Sequence, residues 1–230
     1  MLFRSVEMVN LVAEVKGTQP GIILLTNHYD TKFFRDFTFA GANDGGSTAA
    51  WMIEMARAMG PSRQGRTVWL CWFDGEEAYV DWTETDSLYG SRHMVEWLRE
   101  SGRFSGVRAS INVDMIGDCD LDISQDKNAP RWLLNSIWEK ADEMGIEGFS
   151  MREEVIEDDH KPFRDAGIPA LNLIDFRYGG GAIEHQQNWH TSRDQIDLVC
   201  PDSLEAVGAV LFAALPVIDA ALSKGAADRE

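Results

Sequence analysis

The uncharged run Trp69-Leu70-Cys71-Trp72-Phe73, cut off by Asp74-Gly75 and followed at once by Glu76-Glu77, constrains the fold more than any other stretch. Apolar and aromatic residues without polar alternation predict a strand buried on both faces, as found inside a parallel sheet covered by helices. Asp-Gly is a turn dipeptide, so the two glutamates stand just past the carboxyl end of that strand. Open α/β sheets collect their chemistry there. A solvated acidic loop is the plain alternative for such a pair. In the functional reading the two side chains divide labour, one holding a metal and the other carrying protons.

The neighbouring segments repeat this arrangement. Val6–Val15 and Gly21–Asn27 predict two strands joined by a turn at Gly17-Thr18-Gln19-Pro20, the second running into His28-Tyr29-Asp30. After a polar and aromatic loop, Asp44 opens a segment in which Ala49, Met52, Ile53, Ala56 and Met59 fall at helical spacing. Taken alone, Asp44 is an ordinary N-cap. Thr67–Phe73 is the central strand, and Ser91–Ser101 is a helix whose Met94, Trp97 and Leu98 belong to the core. Ala109–Ile116 predicts another buried strand, interrupted by the single charge of Asp114. A lone buried carboxylate is costly unless something binds it, which gives Asp114 a functional reading. A helix over Ala129–Met144, the acidic knot Glu157-Asp158-Asp159-His160, a short helix over Lys161–Ala166 and a strand over Ile168–Ile174 follow. A glycine-containing loop then ends in Trp189-His190-Thr191, and Pro201–Ser223 closes the chain as a long helix. Strands alternating with helices predict a three-layer αβα sandwich around a mixed, mostly parallel sheet, with residues 1–230 forming one domain.

Composition narrows the functional classes. A net charge of -17 and a pI of about 4.6 argue against a nucleic-acid partner, since no basic patch is present to meet phosphates. No apolar run reads as approaching the roughly 20 residues of a membrane span. The first residues, interrupted by Arg4 and Glu7, do not form a signal peptide. Cys71, Cys119 and Cys200 allow at most one disulfide, and Cys71 sits inside the central strand as a small hydrophobe.

His28, Asp44, Glu76, Glu77, Asp114, Asp158 and His190 all fall on loops or strand ends. A catalytic zinc takes three protein ligands, commonly His and carboxylate, and keeps one position open. Asp44, Glu77 and His190 would supply that set and leave Glu76 as general acid/base.

At these positions the chain resembles the M28-type zinc exopeptidases. The shared pattern is His28-Tyr29-Asp30, Ala42-Asn43-Asp44, Phe73-Asp74-Gly75-Glu76-Glu77, Asp114-Met115-Ile116-Gly117 and Trp189-His190-Thr191. Within that group it resembles the glutaminyl cyclases more narrowly, through Trp82, the string Asp86-Ser87-Leu88-Tyr89-Gly90-Ser91-Arg92-His93, and Ile156–His160 before Pro162-Phe163. The resemblance implies one zinc on Asp44, Glu77 and His190, Glu76 as proton carrier, and Asp114 and Asp158 as a hydrogen-bonded acidic pair near the substrate amide. Trp82 and Trp189 would wall a pocket for glutamine. The substrate would be peptide or protein N-termini, the protein a monomer, and the compartment periplasmic or extracellular by analogy.

Three departures accompany the likeness. Asn172 stands where the cyclases carry a His, Asn27 stands where animal members carry the first Cys of a disulfide, and the usual preceding helical segment is not in this sequence. A zinc aminopeptidase remains the alternative enzyme, with a second ion on His28, Asp44 and Asp114. A non-catalytic peptide-binding module is the third reading.

Overall fold

The computed structural model describes residues 6–180 and 187–227. Its centre is a four-stranded sheet in the order β2-β1-β3-β6, formed by β1 (Leu11–His28), β2 (Ser62–Phe73), β3 (Val107–Asp114) and β6 (Ala170–Ile174). Residues 22–28 of β1 pair in parallel with 67–73 of β2, and β3 pairs in parallel with β1 and β6. The first half of β1 matches the same β2 residues in descending order, Leu11 to Trp72 and Val15 to Val68. It therefore lies on the outer edge of β2 and runs antiparallel. The two strands expected at this end are present as one continuous element that changes sides, and the sheet is mixed as the sequence predicts.

Period-two alternation sorts the sheet side chains to two faces. Ile23, Leu25, Val68, Leu70, Ile111 and Leu171 point to one core, packed by α1 (Thr48–Met59), α3 (Arg131–Met144) and α5 (Pro201–Ala227). Leu24, Trp69, Cys71 and Phe73 point to the other, covered by α2 (Tyr89–Glu100) and α4 (His160–Asp165). This is the expected three-layer sandwich. Trp51 and Met55 face the core from α1, whereas Ile53, assigned to that stripe from spacing, is exposed. In α2, Met94 and Leu98 are buried, while Trp97 is partly open to solvent.

Two short strands escape the sequence reading. β4 (Ile123–Asp126) and β5 (Phe149–Glu154) form a separate parallel pair, tied to β6 by the Asn172 N–H donating to Asp126 Oδ2 at 3.3 Å. The final helix corrects a second expectation: Pro201–Lys224 has a mean hydropathy of 2.0 and the length of a membrane span. Its apolarity has a core role, because Val207, Val210, Leu211, Ala214, Leu215 and Ile218 are buried against the sheet and its neighbours. Cys119 and Cys200 form a disulfide that ties the loop after β3 to the start of α5, and Cys71 is free and buried.

The chain winds from β1 to β2 on one side and then crosses to β3 on the other, so the winding reverses between β1 and β3. β1 ends at His28 and β3 at Asp114, at the same edge of the sheet. Ligands of open α/β sheets bind at such a switch point.

Candidate active site

Six segments deliver side chains to this edge. β1 supplies His28, β3 supplies Asp114, and the turn after β2 supplies Glu76 and Glu77. Asp44 comes from the Ala42–Ser47 turn before α1, Asp158 from the residues before α4, and His190 from the loop before α5. Asp44 is not a helix cap: its backbone (φ -80°, ψ 98°) is non-helical, and the helix begins four residues later. Gly45 follows with φ +85°, and a Cβ there would stand 2.8 Å from the Asp30 carbonyl and 3.0 Å from the His28 ring. Only glycine lets the turn approach His28 this closely. Among the described residues, three non-glycine ones, Leu88, Met115 and His190, adopt left-handed φ of 54°, 50° and 54°, all beside the site. Such strain of about 1–3 kcal/mol per residue gathers where side chains must be aimed.

His190 Nε2 lies 2.9 Å from Glu77 Oε1 and 3.2 Å from Asp44 Oδ2. His28 Nε2 lies 3.2 Å from Asp44 Oδ1 and 3.3 Å from Asp114 Oδ1. Asp44 thus stands between two donor sets, Asp44–Glu77–His190 and His28–Asp44–Asp114. Two ligands each about 2.0–2.1 Å from a tetrahedral ion are about 3.3 Å apart, so the His–carboxylate separations of both sets match the edges of such a polyhedron. His28 Nε2, Asp44 Oδ2 and Asp114 Oδ1 are buried without a hydrogen bond of good geometry, which is costly unless a cation satisfies them. The residues fit a divalent metal, and carboxylate with imidazole suits several ions.

The carboxylates and imidazoles gathered here shift one another's proton affinity. Burial disfavours the imidazolium of His190, but the bonds to Asp44 and Glu77 outweigh it and push the group up to about 9. His28 is likewise raised, against burial, by Asp114, Asp30 and Asp44. Asp44 is held well below the ordinary carboxylate range by His190 and His28, despite burial. Glu76 and Glu77 are buried rather than solvated. Burial pushes the Glu76 carboxyl well above its usual range, with Asp158, Glu77 and Asp159 adding to the shift against the pull of His28. Burial raises Asp114 to about 7. A carboxyl shifted toward neutrality is suited to exchange protons at physiological pH.

Glu76, Asp114 and Asp158 line one cavity of about 550 Å³ with Asp44, Glu77 and His190, and Trp82 and Trp189 border it. The Trp189 ring stacks on His190 at 3.9 Å between centroids. Asp158 accepts from Asn172 Nδ2 at 3.0 Å and from the Asp159 N–H. Its carboxyl is raised by burial, and its charge in turn helps raise Asp114. His160 is buried beside Arg164 and Asp126, His93 is exposed, and His185 lies outside the described residues.

Several supporting residues were invisible as such in the sequence. Asp194 accepts from the N–H groups of Asn43 and Asp44 (2.8 and 3.1 Å) and from the Tyr178 hydroxyl (3.0 Å). Asp30 does the same for the N–H groups of Glu76 and Glu77 (3.1 and 3.2 Å). Each glutamate or aspartate loop is thus gripped by a carboxylate from a distant segment. Lys32 donates to the Ala78 carbonyl at 2.7 Å and lies 3.7 Å from Glu77 Oε2. The only sequence signal for Asp194 is its place four residues after His190.

The model of peptidase family M28 matches residues 10–215. The chain belongs to this family. It is 30% identical to a glutaminyl-peptide cyclotransferase of Bos taurus over 236 aligned residues, which cover 86% of this chain and 63% of the bovine protein. It spans 58% of a Dictyostelium discoideum relative that carries the same name. The crystal structure of an Acidobacteriales bacterium glutaminyl cyclase superposes with a TM-score of 0.86 at 38% identity, over 92% of this chain and 74% of that one. A zinc aminopeptidase of Bacillus subtilis superposes with a TM-score of 0.70 at 27% identity, over 89% of this chain and 48% of that one.

Proposed function

We propose that this M28 chain is a zinc-dependent glutaminyl-peptide cyclotransferase that closes an N-terminal glutamine to pyroglutamate and releases ammonia. The observation that carries the reading is the grouping of Glu76, Asp114 and Asp158 in one cavity with the Asp44–Glu77–His190 set, between Trp82 and Trp189. The likeness to the Acidobacteriales cyclase supports it.

One zinc would be held by Asp44, Glu77 and His190, and when bound it supplies a Lewis acid for the γ-carboxamide oxygen. Glu76 takes a proton from the α-amino group of the glutamine, and that nitrogen forms a bond to the carbonyl carbon of the γ-carboxamide (Cδ). Glu76 then returns the proton to the side-chain amide nitrogen as its bond to Cδ breaks, so atoms balance as one lactam and one ammonia. Asp158, fixed by Asn172, accepts a hydrogen bond from the γ-amide N–H groups beside Asp114. Trp82 and Trp189 limit the room around the amide and exclude water. Because nucleophile and electrophile belong to one residue, orientation supplies much of the acceleration.

Incubation with Gln-Phe-Ala and Leu-Phe-Ala, followed by mass spectrometry, tests the reading. Ammonia loss from the first with the second intact is expected; free leucine with no ammonia loss would overturn it. The second reading, a zinc aminopeptidase, is favoured by the His28–Asp44–Asp114 set, which would complete a two-ion site. Two metals per chain together with leucine release would establish it. The Cys119–Cys200 disulfide supports an oxidising compartment, periplasmic or extracellular, for the mature protein.

A further inference from the structure

The Cys119–Cys200 disulfide joins residues 81 positions apart, and both lie near metal-donor candidates in the chain. Asp114 stands five residues before the first cysteine and His190 ten before the second. The two loops are also zipped by hydrogen bonds. The Cys200 N–H donates to the Gly117 carbonyl at 2.8 Å, Asp118 bridges Val199, and Ser203 Oγ donates to the Asp118 carbonyl at 2.6 Å.

The Ala42–Ser47 turn packs into the same junction. The Gly117 N–H donates to Asn43 Oδ1 at 2.7 Å, and Asn43 Nδ2 donates to the Met115 carbonyl at 3.3 Å. A Cβ on Gly117 would stand 2.8 Å from Asn43 Oδ1 and 2.9 Å from Val199 Cγ1, so the three segments meet with no room to spare. Asn43 is fully buried and immediately precedes Asp44. The backbone of Asp44, the donor common to both sets, is thus held against the loop that the disulfide closes. The sulfur pair itself is reachable: Cys119 is exposed and Cys200 half-buried, whereas Cys71 is fully buried. Access of a thiolate to the bond is one condition for exchange.

We propose that Cys119–Cys200 is a redox-sensitive brace of the metal site: its closure fixes Asp44 for tight zinc binding, and its opening by a dithiol loosens it. This rests on the metal reading of Asp44, Glu77 and His190, and not on which reaction follows. In the opening step a thiolate of the dithiol bonds to Cys119 Sγ, and the Cys200 thiolate leaves and takes a proton. The second thiol of the reductant, losing its proton, then displaces Cys119, so the dithiol is oxidised to a disulfide and the protein gains two thiols. A chain kept among reducing thiols would therefore hold zinc poorly until it reached an oxidising compartment.

The test compares oxidised protein with protein reduced by dithiothreitol, blocked with iodoacetamide and freed of both reagents. Mass spectrometry should find the label on Cys119 and Cys200 and none on Cys71. Zinc affinity, read by competition with a chromophoric chelator, should fall roughly tenfold, the size expected when a group that orients a ligand is lost. Circular dichroism should stay native, and Cys119→Ala/Cys200→Ala should match the opened protein. In Asn43→Ala, which cuts the link to Asp44 but leaves the bond, opening should change zinc affinity by less than about twofold. Equal affinity in the two forms, an undiminished effect in Asn43→Ala, or a bond that dithiothreitol leaves closed overturns the proposal. So does loss of circular dichroism on reduction, which would make the bond a folding staple alone. Oxidised protein that binds no zinc sinks the metal reading itself, and the brace with it.

Discussion

Replacing Asn172 by Ala should cost about 3–4 kcal/mol of stability and weaken catalysis through Asp158. Thr26, Asn112 and Asn172 are paired residues on β1, β3 and β6, so their side chains form a row on one face of the sheet. Thr26 Oγ1 donates to Asn112 Oδ1 (2.8 Å), Asn112 Nδ2 to Asn172 Oδ1 (3.1 Å), and Asn172 Nδ2 to Asp158 Oδ2 (3.0 Å). All four residues are at most 2% exposed, so water cannot replace a missing partner. Truncation removes a neutral bond worth about 1 kcal/mol and one to a carboxylate worth about 1.5–3 kcal/mol, leaving Asn112 Nδ2 unpaired. For a chain of this length that corresponds to roughly 10 °C in Tm. Asn172→His keeps an N–H toward Asp158 and should lose less than half as much. Urea denaturation of the three proteins at neutral pH, with m-values compared, is the assay. A loss below about 1 kcal/mol for Asn172→Ala would refute the idea that this row is a working part of the structure rather than a tolerated polar streak.

Three further outcomes follow from the same geometry. Glu76→Gln keeps the shape and removes the basicity, so zinc content should stay while ammonia release from a glutamine peptide falls by roughly 10²-fold or more; loss of metal would mean the glutamates are assigned in reverse. His190→Ala, purified without added metal, should carry markedly less zinc by elemental analysis, because it deletes a donor 2.9 Å from Glu77 and 3.2 Å from Asp44. His160 is buried neutral, its group lowered to about 3 by burial and the charge of Arg164. Its folded value lies below the unfolded one of about 6.5, so the unfolded chain binds the extra proton and stability falls as pH drops below about 6.5. The loss between pH 8 and pH 5 should be about 2 kcal/mol greater for the native sequence than for His160→Gln, and identical pH slopes in denaturation would show that His160 is not the titrating group.

The sandwich and its site were largely legible because the signals were strong and local. Trp69–Phe73 could only be a two-faced strand, and its abrupt end at Asp74-Gly75 located Glu76 and Glu77 at the sheet's edge. β4 and β5 were not legible: Ile-Ser-Gln-Asp and Phe-Ser-Met-Arg-Glu-Glu are too short and polar to show a period. Asp44 resembles a cap in isolation because the residue that aims it, Asp194, lies 150 positions away. Asp30 grips the N–H groups of Glu76 and Glu77 from 46 and 47 positions away, a role that exists only once the strands are paired. Three cysteines allow three pairings, and only the fold brings Cys119 to Cys200, through the Asp118–Val199 bridge between their loops. The apolar run of α5 was understated from sequence, where Lys, Asp and Pro interruptions hide how uniformly its inner face is aliphatic.

The central claim is that the α-amino nitrogen of the substrate, and not water, attacks the carbonyl carbon of the γ-carboxamide. It is tested most directly by running the zinc-loaded enzyme on Gln-Phe-Ala in water labelled with heavy oxygen and weighing every product. The account predicts a pyroglutamyl peptide that contains no label, with ammonia formed in equal amount. Free glutamine carrying label in its α-carboxylate, or an intact peptide whose γ-carboxylate carries it, would contradict the claim and identify a hydrolase.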